Sequence, residues 1–288
     1  EGAALSSMLP SLSAQLPLLA GRQLSARGGA SFHKYESIPC RHEPIAASDP
    51  AIPSWEKCFK RVPGQFQGQA VYDAVIERVL MKEPEREHLV LEVGALMGQS
   101  SCYMSHRLQE MAKVHHVSAK FTIVDIWAPV KYYQWLQYYH FYSEWETLVK
   151  LAQGENAPTI RPVWEHLMCK SGANAGITSH IQGSSMDGAI AALFADASLS
   201  FIYLDTSHQY NETMAELTLW WPKLRPGGWF CGDDFSSAFP VPVAVHDWKK
   251  KTRIKDHVEV WPSKPGSVNT TANEQFCIGK GVPAKHEI

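Results

Sequence analysis

The sequence predicts an α/β fold: a seven-stranded, mostly parallel sheet with helices on both faces, plus an extended N-terminal arm. Short apolar runs alternate with longer stretches of helical periodicity from residue 66 onward, which is the pattern of a sheet covered by helices. The runs are continuously apolar rather than alternating, as expected for strands buried on both faces. We therefore assign residues 66–288 to this domain and residues 1–65 to the arm.

Each expected element follows from one local pattern. The strands are short apolar runs closed by Gly, Asp or a polar residue: 88–93, 121–126, 177–182, 200–205, 228–232, 257–261 and 275–279. The helices are the amphipathic stretches between them: 66–81, 101–114, 186–194, 211–224 and 243–252. In such open sheets ligands bind at the carboxyl ends of the strands, so polar residues that directly follow a strand are the candidates for function.

The N-terminal region differs in composition from the body. Residues 2–35 contain Arg22, Arg27 and Lys34 and no acidic residue, a composition typical of the remains of an organelle transit peptide. The alternative is a flexible or partner-bound extension. The chain begins at Glu1 rather than Met, so we expect a processed or trimmed chain; an organellar location after removal of a transit peptide is one of the two alternatives. Five prolines between 36 and 65 exclude a long helix there.

Composition narrows the function classes. The 288 residues carry 27 Lys and Arg against 29 Asp and Glu, and 45% are hydrophobic, as in globular proteins. This near-neutral balance disfavours nucleic acid as a partner, because phosphate binding needs a basic surface. No apolar run is long enough to predict a transmembrane segment. The six cysteines show no C-x-x-C spacing; they are too sparse for a disulfide-dense scaffold and too scattered to indicate a redox compartment.

The first chemical signal is a glycine turn after the first strand. Its sequence is Glu92-Val-Gly94-Ala-Leu-Met-Gly98-Gln-Ser100. The glycines allow close approach of a ligand to the backbone, and the following helix N-terminus offers free N–H groups. The G-x-x-x-G spacing is not the dinucleotide fingerprint, and a simple tight turn is the alternative. Glu92 lies within an apolar strand, where a carboxylate needs partners.

Two further signals follow the second and third strands. Asp125 ends the second strand, where an acid can hold both ribose hydroxyls; its alternative role is a helix cap. The segment Gly183-Ser184-Ser185-Met186-Asp187 follows the third strand. It can surround an adenine edge, and Ser184 or Ser185 can also cap the next helix.

The most informative signal joins the fourth and fifth strands. Asp205 and His208 follow one strand, and Asp233 and Asp234 follow the other. Three carboxylates at neighbouring strand ends repel one another unless a cation joins them, and oxygen ligands favour Mg²⁺ or a similar divalent ion. His208 is placed to act as a general base. The alternatives are an Asp-built turn and a His that caps a helix.

These motifs together resemble a known family. The segment from Glu92 to Ser100 resembles the first motif of class I S-adenosylmethionine-dependent methyltransferases, whose fold is Rossmann-like, and it is most similar to the small-molecule O-methyltransferase branch. The runs from Phe201 to His208 and from Trp220 to Asp234 are similar to the "family 24" methyltransferases. The resemblance implies S-adenosylmethionine as cofactor and assigns roles to matching residues. The cofactor-binding residues would be Glu92, Gly94, Gly98, Ser100, Asp125, Ser185 and Met186; the metal ligands would be Asp205, Asp233 and Asp234; and the catalytic residues would be His208 and Asp205. The metal-dependent branch often carries Asn at the last ligand and Lys near the first, and here Asp234 and His208 stand there.

One segment of the chain is unusually rich in aromatic residues. Nine aromatic residues lie between Trp127 and Trp145, in an expected insertion over about 127–160. They predict either packing or a protein interface, or a substrate lid.

One hypothesis for the function is a divalent-metal-assisted O-methyltransferase acting on a small hydroxylated molecule. The other is a non-catalytic methyltransferase-fold subunit that joins a larger assembly through its arm and aromatic segment. A nicotinamide-dependent reductase is disfavoured by the glycine spacing.

Overall fold

The computed structural model describes Ile38, Cys40 and residues 55–64, 66–138, 142–152, 158–261 and 274–282. The compact unit that contains them spans Lys34–Ile288. The expected N-terminal segment 2–35, most of the arm and residues 139–141 of the aromatic segment lie outside these ranges. None of the helices in the described part of the chain is long and apolar enough to cross a bilayer.

The sheet has the predicted seven strands. They are β1 (Glu87–Val93), β2 (Ser118–Asp125), β3 (Ser179–Gln182), β4 (Leu199–Leu204), β5 (Leu224–Gly232), β6 (Val258–Trp261) and β7 (Gln275–Gly279). Their order is β3-β2-β1-β4-β5-β7-β6. The first five are parallel, and β7 runs antiparallel to both β5 and β6. The strand order reverses beside β1, so the tips of β1 and β4 lie at the switch point where such sheets bind ligands.

Helices cover both faces. They are α1 (Glu56–Arg61), α2 (Gln69–Val75), α3 (Gln99–His115), α4 (Tyr142–Ala152), α5 (Arg161–Ser171), α6 (Gly188–Ala191), α7 (Tyr210–Trp220) and α8 (Val241–Thr252). A π-helical turn, Ile76–Leu80, ends the first predicted body helix. The helix expected over 186–194 is shorter in the structure, where α6 begins after its N-cap Asp187 and ends at Ala191. One apolar cluster includes Tyr72 and Trp164, and the other includes Leu217 and Trp248.

All six cysteines are paired, in contrast to the sequence analysis. The disulfides are Cys40–Cys169, Cys58–Cys102 and Cys231–Cys277. The first two attach the described parts of the arm to α5 and α3, and the third joins the directly opposed positions of β5 and β7. Wide sequence separations concealed the pairing, because partners are brought together only by the fold. Such bonds form and persist in oxidising environments.

The aromatic segment packs on the body where it is described. Residues Val130–Tyr138 form a 3₁₀ helix that precedes α4. Trp127 and Trp145 are buried, and the Trp127 ring lies 4.8 Å from that of Trp164. Tyr132 is exposed. Packing, one of the two interpretations of this segment, therefore accounts for Trp127 and Trp145.

Candidate functional site

The glycine turn, residues 94–98, joins β1 to α3 in a conformation that glycine makes accessible. Gly94 and Gly98 have φ of +90° and +87°, a region that L-residues with a Cβ avoid. A Cβ at Gly94 would lie 1.7 Å from the backbone oxygen of Asp205, and one at Gly98 would lie 2.5 Å from Trp164 Nε1. The two glycines therefore permit close packing of the turn against β4 and α5.

Glu92 is buried beneath the turn and satisfied by hydroxyl groups. Ser100 donates to its Oε1 and Ser101 donates to its Oε2 at 2.5 Å, while the Tyr72 hydroxyl lies 3.4 Å from Oε1. Burial raises the pKa of Glu92 to about 8, although the two serines oppose the shift. The Ser100 hydroxyl, expected at the cofactor carboxylate, is thus directed at Glu92.

Asp125 ties the turn to the end of β2. Its Oδ2 accepts the backbone N–H of Ala95 at 2.6 Å and of Leu96 at 2.9 Å, and its Oδ1 accepts that of Trp127 at 2.5 Å. Burial raises the pKa of Asp125 above its ordinary value against these hydrogen bonds. A carboxylate has about four lone-pair sites, so about one site remains beside the three N–H donors, fewer than the two that both ribose hydroxyls would use.

In the loop after β3, the Met186 side chain is exposed and the Ser185 hydroxyl is hydrogen-bonded to a buried carboxyl. Met186 is 45% exposed, and Ile126, which follows Asp125, is 54% exposed. Because β2 and β3 are neighbours, these apolar side chains follow adjacent strand ends. The Ser185 hydroxyl donates to Glu216 at 2.5 Å. The alternative role of Ser184 or Ser185 as the cap of the next helix is not found: the cap of α6 is Asp187, whose Oδ1 accepts the N–H of Ala189.

The residues after β4 and β5 come together as the sequence predicts; we call Asp205, His208, Asp233 and Asp234 the acidic edge. His208 Nε2 lies 3.4 Å from Asp205 Oδ1 and 3.4 Å from Asp234 Oδ2. His208 and Asp234 have φ of +57° and +54°, an uncommon conformation for non-glycine residues that is concentrated at functional sites. Gln275 at the start of β7 donates to Asp233 Oδ1 at 2.9 Å.

The acidic edge has strongly perturbed charges. Burial alone would lower the pKa of His208, but Asp205, Asp234 and Asp233 raise it to about 9. Burial also raises the pKa of Asp234 to about 6, against the effect of His208. The pKa of Asp233 is raised by burial and then by repulsion from Asp205 and Asp234. Such shifts cluster at functional sites.

The donor set suits the divalent ion that the resemblance implies, because hard cations prefer carboxylate oxygens and the carboxylates here repel one another. In the structure, however, the ligand oxygens of Asp205, Asp233 and Asp234 do not all lie within 4.8 Å of one another. Within the described residues, the one group of three ligand-type side chains with ligand atoms all within 4.8 Å of one another is Cys58, Cys102 and His106. Both of those cysteines are in a disulfide, which removes their thiolates.

A small cavity lies at the acidic edge. Its volume is about 10 Å³, which corresponds to about one water molecule. It is lined by Leu204, Thr206, His208, Thr213, Asp233, Val241 and Phe276.

Two residues at this edge were missed by the sequence analysis. Glu216 lies on α7 and contacts the loops after β3 and β4. Its signal was present: helical spacing places it on the same face as the buried residues Thr213, Leu217 and Trp220. Gln275 gave no such signal, because only the antiparallel pairing of β7 brings it beside Asp233.

The comparisons with known proteins agree with this architecture. A family model described as a methyltransferase domain, family 24, matches residues 91–235, just over half of the chain. A search of curated proteins finds no significant match.

Solved structures with a similar fold include three methyltransferases. The O-methyltransferase NovP is 14% identical, with 75% of this chain and 80% of that chain covered and a TM-score of 0.46. An O-methyltransferase from Bacillus cereus, solved with SAH, is 12% identical over 80% and 92%, with a TM-score of 0.48. An rRNA methylase from Streptococcus thermophilus is 10% identical over 75% and 97%, with a TM-score of 0.40. These likenesses are too distant to carry an argument about this chain. The family match over residues 91–235, which include the glycine turn and the acidic edge, shows that the chain belongs to the class I S-adenosylmethionine-dependent methyltransferases.

Proposed function

We propose that the protein transfers the methyl group of S-adenosylmethionine to a hydroxyl oxygen of a small molecule. The observation that carries the proposal is the acidic edge. His208 lies 3.4 Å from both Asp205 and Asp234, Asp233 lines the same cavity as His208, and the Asp205 backbone packs against the glycine turn. Glu92, Gly94, Gly98 and Ser100 shape the methionine side of the cofactor site. Asp125 binds the ribose, and Ser185 and Met186 border the adenine.

The reaction requires positioning and one proton acceptor. The bond between sulfur and the methyl carbon breaks as the bond from the acceptor oxygen to that carbon forms. His208 takes the hydroxyl proton in its neutral form, which its raised pKa of about 9 makes the minority form at neutral pH. Holding the two reactants in line accounts for about 7–11 kcal/mol of the barrier in well-oriented reactions. Asp205 contacts His208 and orients its ring.

Divalent-metal assistance is the finer part of the proposal, with Asp205, Asp233 and Asp234 as ligands. A bound divalent ion would stabilise the acceptor oxyanion and, by offsetting the carboxylate charges, would favour the neutral form of His208.

Methyl transfer from radiolabelled S-adenosylmethionine to a panel of small hydroxylated molecules, with Mg²⁺ or with EDTA, tests both parts. We expect transfer that EDTA removes and that Asp205→Asn abolishes. Transfer that survives EDTA and Asp205→Asn unchanged would contradict the metal role. Failure of the wild-type protein to bind S-adenosylmethionine would contradict the proposed activity.

The second candidate is a non-catalytic methyltransferase-fold subunit of a larger, organellar assembly. One observation favours it: the cavity at the acidic edge measures about 10 Å³, whereas small-molecule sites usually measure about 300–1,000 Å³. Its protein contacts would be the arm and the segment 127–145. Size-exclusion chromatography of the native protein from its source tests this candidate. Elution at the mass of one chain, together with measurable methyl transfer, would contradict it.

A further inference from the structure

Glu216 connects two loops of the candidate site from behind. Its side chain is buried on α7, and each carboxyl oxygen accepts one hydroxyl hydrogen bond. Ser185 donates to Oε1 at 2.5 Å, and Thr206 donates to Oε2 at 2.9 Å. Burial raises the pKa of Glu216 to about 7, although both hydroxyls oppose the shift. Burying a carboxyl in an apolar helix face costs free energy, and an apolar side chain would suffice for packing alone. We therefore look for the role of Glu216 in its two hydrogen bonds.

The two hydroxyls belong to loops of distant strands. Ser185 follows β3 and Thr206 follows β4, and the sheet order places β2 and β1 between these strands. Three strand spacings amount to about 14 Å, so the loop after β3 must return across the sheet edge to reach Glu216. Trp220, one turn later on α7, donates its Nε1 hydrogen to the Ser185 carbonyl at 2.8 Å. Helix α7 therefore holds this loop at two points and the loop after β4 at one.

We propose that Glu216 is a positioning residue that fixes the distance between the cofactor-side loop, residues 183–187, and the catalytic turn, residues 205–208. The inference rests on the proposed function, because those loops carry Met186 at the adenine and His208 at the acceptor. Transfer between two bound molecules is sensitive to misplacement of about 1 Å. A carboxyl that bonds to both loops couples their positions, whereas an apolar residue would leave each loop to its own contacts.

Three variants separate coupling from general stability. Glu216→Ala removes both hydrogen bonds. Glu216→Gln keeps the bridge, because the amide oxygen accepts from one hydroxyl and the amide N–H donates to the other. Ser200→Ala is the matched control: this buried hydroxyl contacts His88 Nδ1 at 3.1 Å and accepts from Arg225 Nε at 3.0 Å, near the opposite end of β4. Its loss also breaks a buried polar network but leaves the site loops intact.

Hydrogen exchange of the cofactor-free proteins tests the coupling without reference to activity. We expect Glu216→Ala to accelerate amide exchange in residues 183–187 and in residues 205–208 together, by about tenfold, as for loss of a buried hydrogen-bond network. Glu216→Gln should exchange nearly as the wild type does, and Ser200→Ala should leave both segments unchanged. Acceleration in only one segment, or in neither, would overturn the proposal.

Calorimetric titration with S-adenosylhomocysteine tests the consequence for the site. We expect Glu216→Ala to weaken binding by about tenfold, with Glu216→Gln and Ser200→Ala close to the wild type. Equal weakening by Ser200→Ala would reduce Glu216 to a merely structural role and overturn the proposal. A wild-type protein that does not bind S-adenosylhomocysteine would refute the proposed function instead, and the exchange experiment would still decide the coupling.

Discussion

The glycine turn and the acidic edge both place buried carboxyl groups at the same end of the sheet, but they satisfy them differently. Near the turn, Glu92 contacts three hydroxyls and Asp125 accepts three backbone N–H groups. At the acidic edge, Asp205 and Asp234 each lie 3.4 Å from His208, and both raise the pKa of the buried Asp233 by repulsion. The first arrangement pairs each carboxyl with several donors of the protein itself and fixes the backbone. The second contains repulsion that a bound cation or substrate can relieve, so we place the chemistry there.

The largest expected effect breaks the turn itself. Gly94→Ala would place a methyl group 1.7 Å from the Asp205 backbone oxygen at a φ of +90°. We expect a loss of at least about 3 kcal/mol in the free energy of unfolding, since both strain and overpacking contribute. Gly188→Ala is the control, because a Cβ there meets nothing within 4 Å. Urea denaturation measures both variants, and equal stability of the two would show that the turn is not tightly packed.

The next effect concerns Glu92 and pH. Its pKa is about 8 in the folded protein against an ordinary value of 4.5, so between these values the folded state keeps a proton that the unfolded state has lost. The stabilisation from Glu92 is complete below pH 4.5 and decreases as the pH rises to about 8, by at most about 1.4 kcal/mol per unit. Glu92→Gln should flatten this part of the stability profile measured by denaturant titration. A profile that keeps its slope in the variant would mean that Glu92 is ionised when folded.

The smallest expected effect is a gain in stability rather than a loss. Asp233→Asn removes a buried charge that Asp205 and Asp234 repel, and the amide oxygen can still accept from Gln275. We expect the metal-free variant to be more stable than the wild type at pH 8 by up to about 1 kcal/mol while losing methyl transfer, as when an active site trades stability for function. Thermal unfolding measured alongside activity checks this. A destabilised variant would show that the Asp233 carboxyl, like those of Glu92 and Asp125, is stabilised by its hydrogen bonds more than it is destabilised by repulsion.

Much of the fold was predictable because buried parallel strands are continuous apolar runs. The predicted strand 275–279 is the observed β7, and the predicted 88–93 lies within β1. The meeting of Asp205, His208 and Asp234 was also predictable, since carboxyl ends of neighbouring strands share an edge. The orientation of individual side chains was not. Asp125 and Ser185 face protein donors and acceptors in the structure, and these depend on tertiary contacts that no local pattern records.

The disulfide pairing could not be predicted from local sequence patterns either. Six cysteines allow 15 pairings, and only the fold brings Cys40 to Cys169 across 129 residues. Glu216 is the instructive exception, because a carboxyl on an apolar helix face could have been noticed from spacing alone.

Calorimetric titration of S-adenosylmethionine into the wild type and into Asp125→Ala and Asp205→Asn, with and without Mg²⁺, tests the central claim most directly. We expect one cofactor to bind per wild-type chain. Asp125→Ala should weaken binding by at least about tenfold through loss of the ribose contact and the turn, and Asp205→Asn should bind the cofactor as the wild type does. Absence of binding to the wild type, or unchanged binding to Asp125→Ala, would contradict the account.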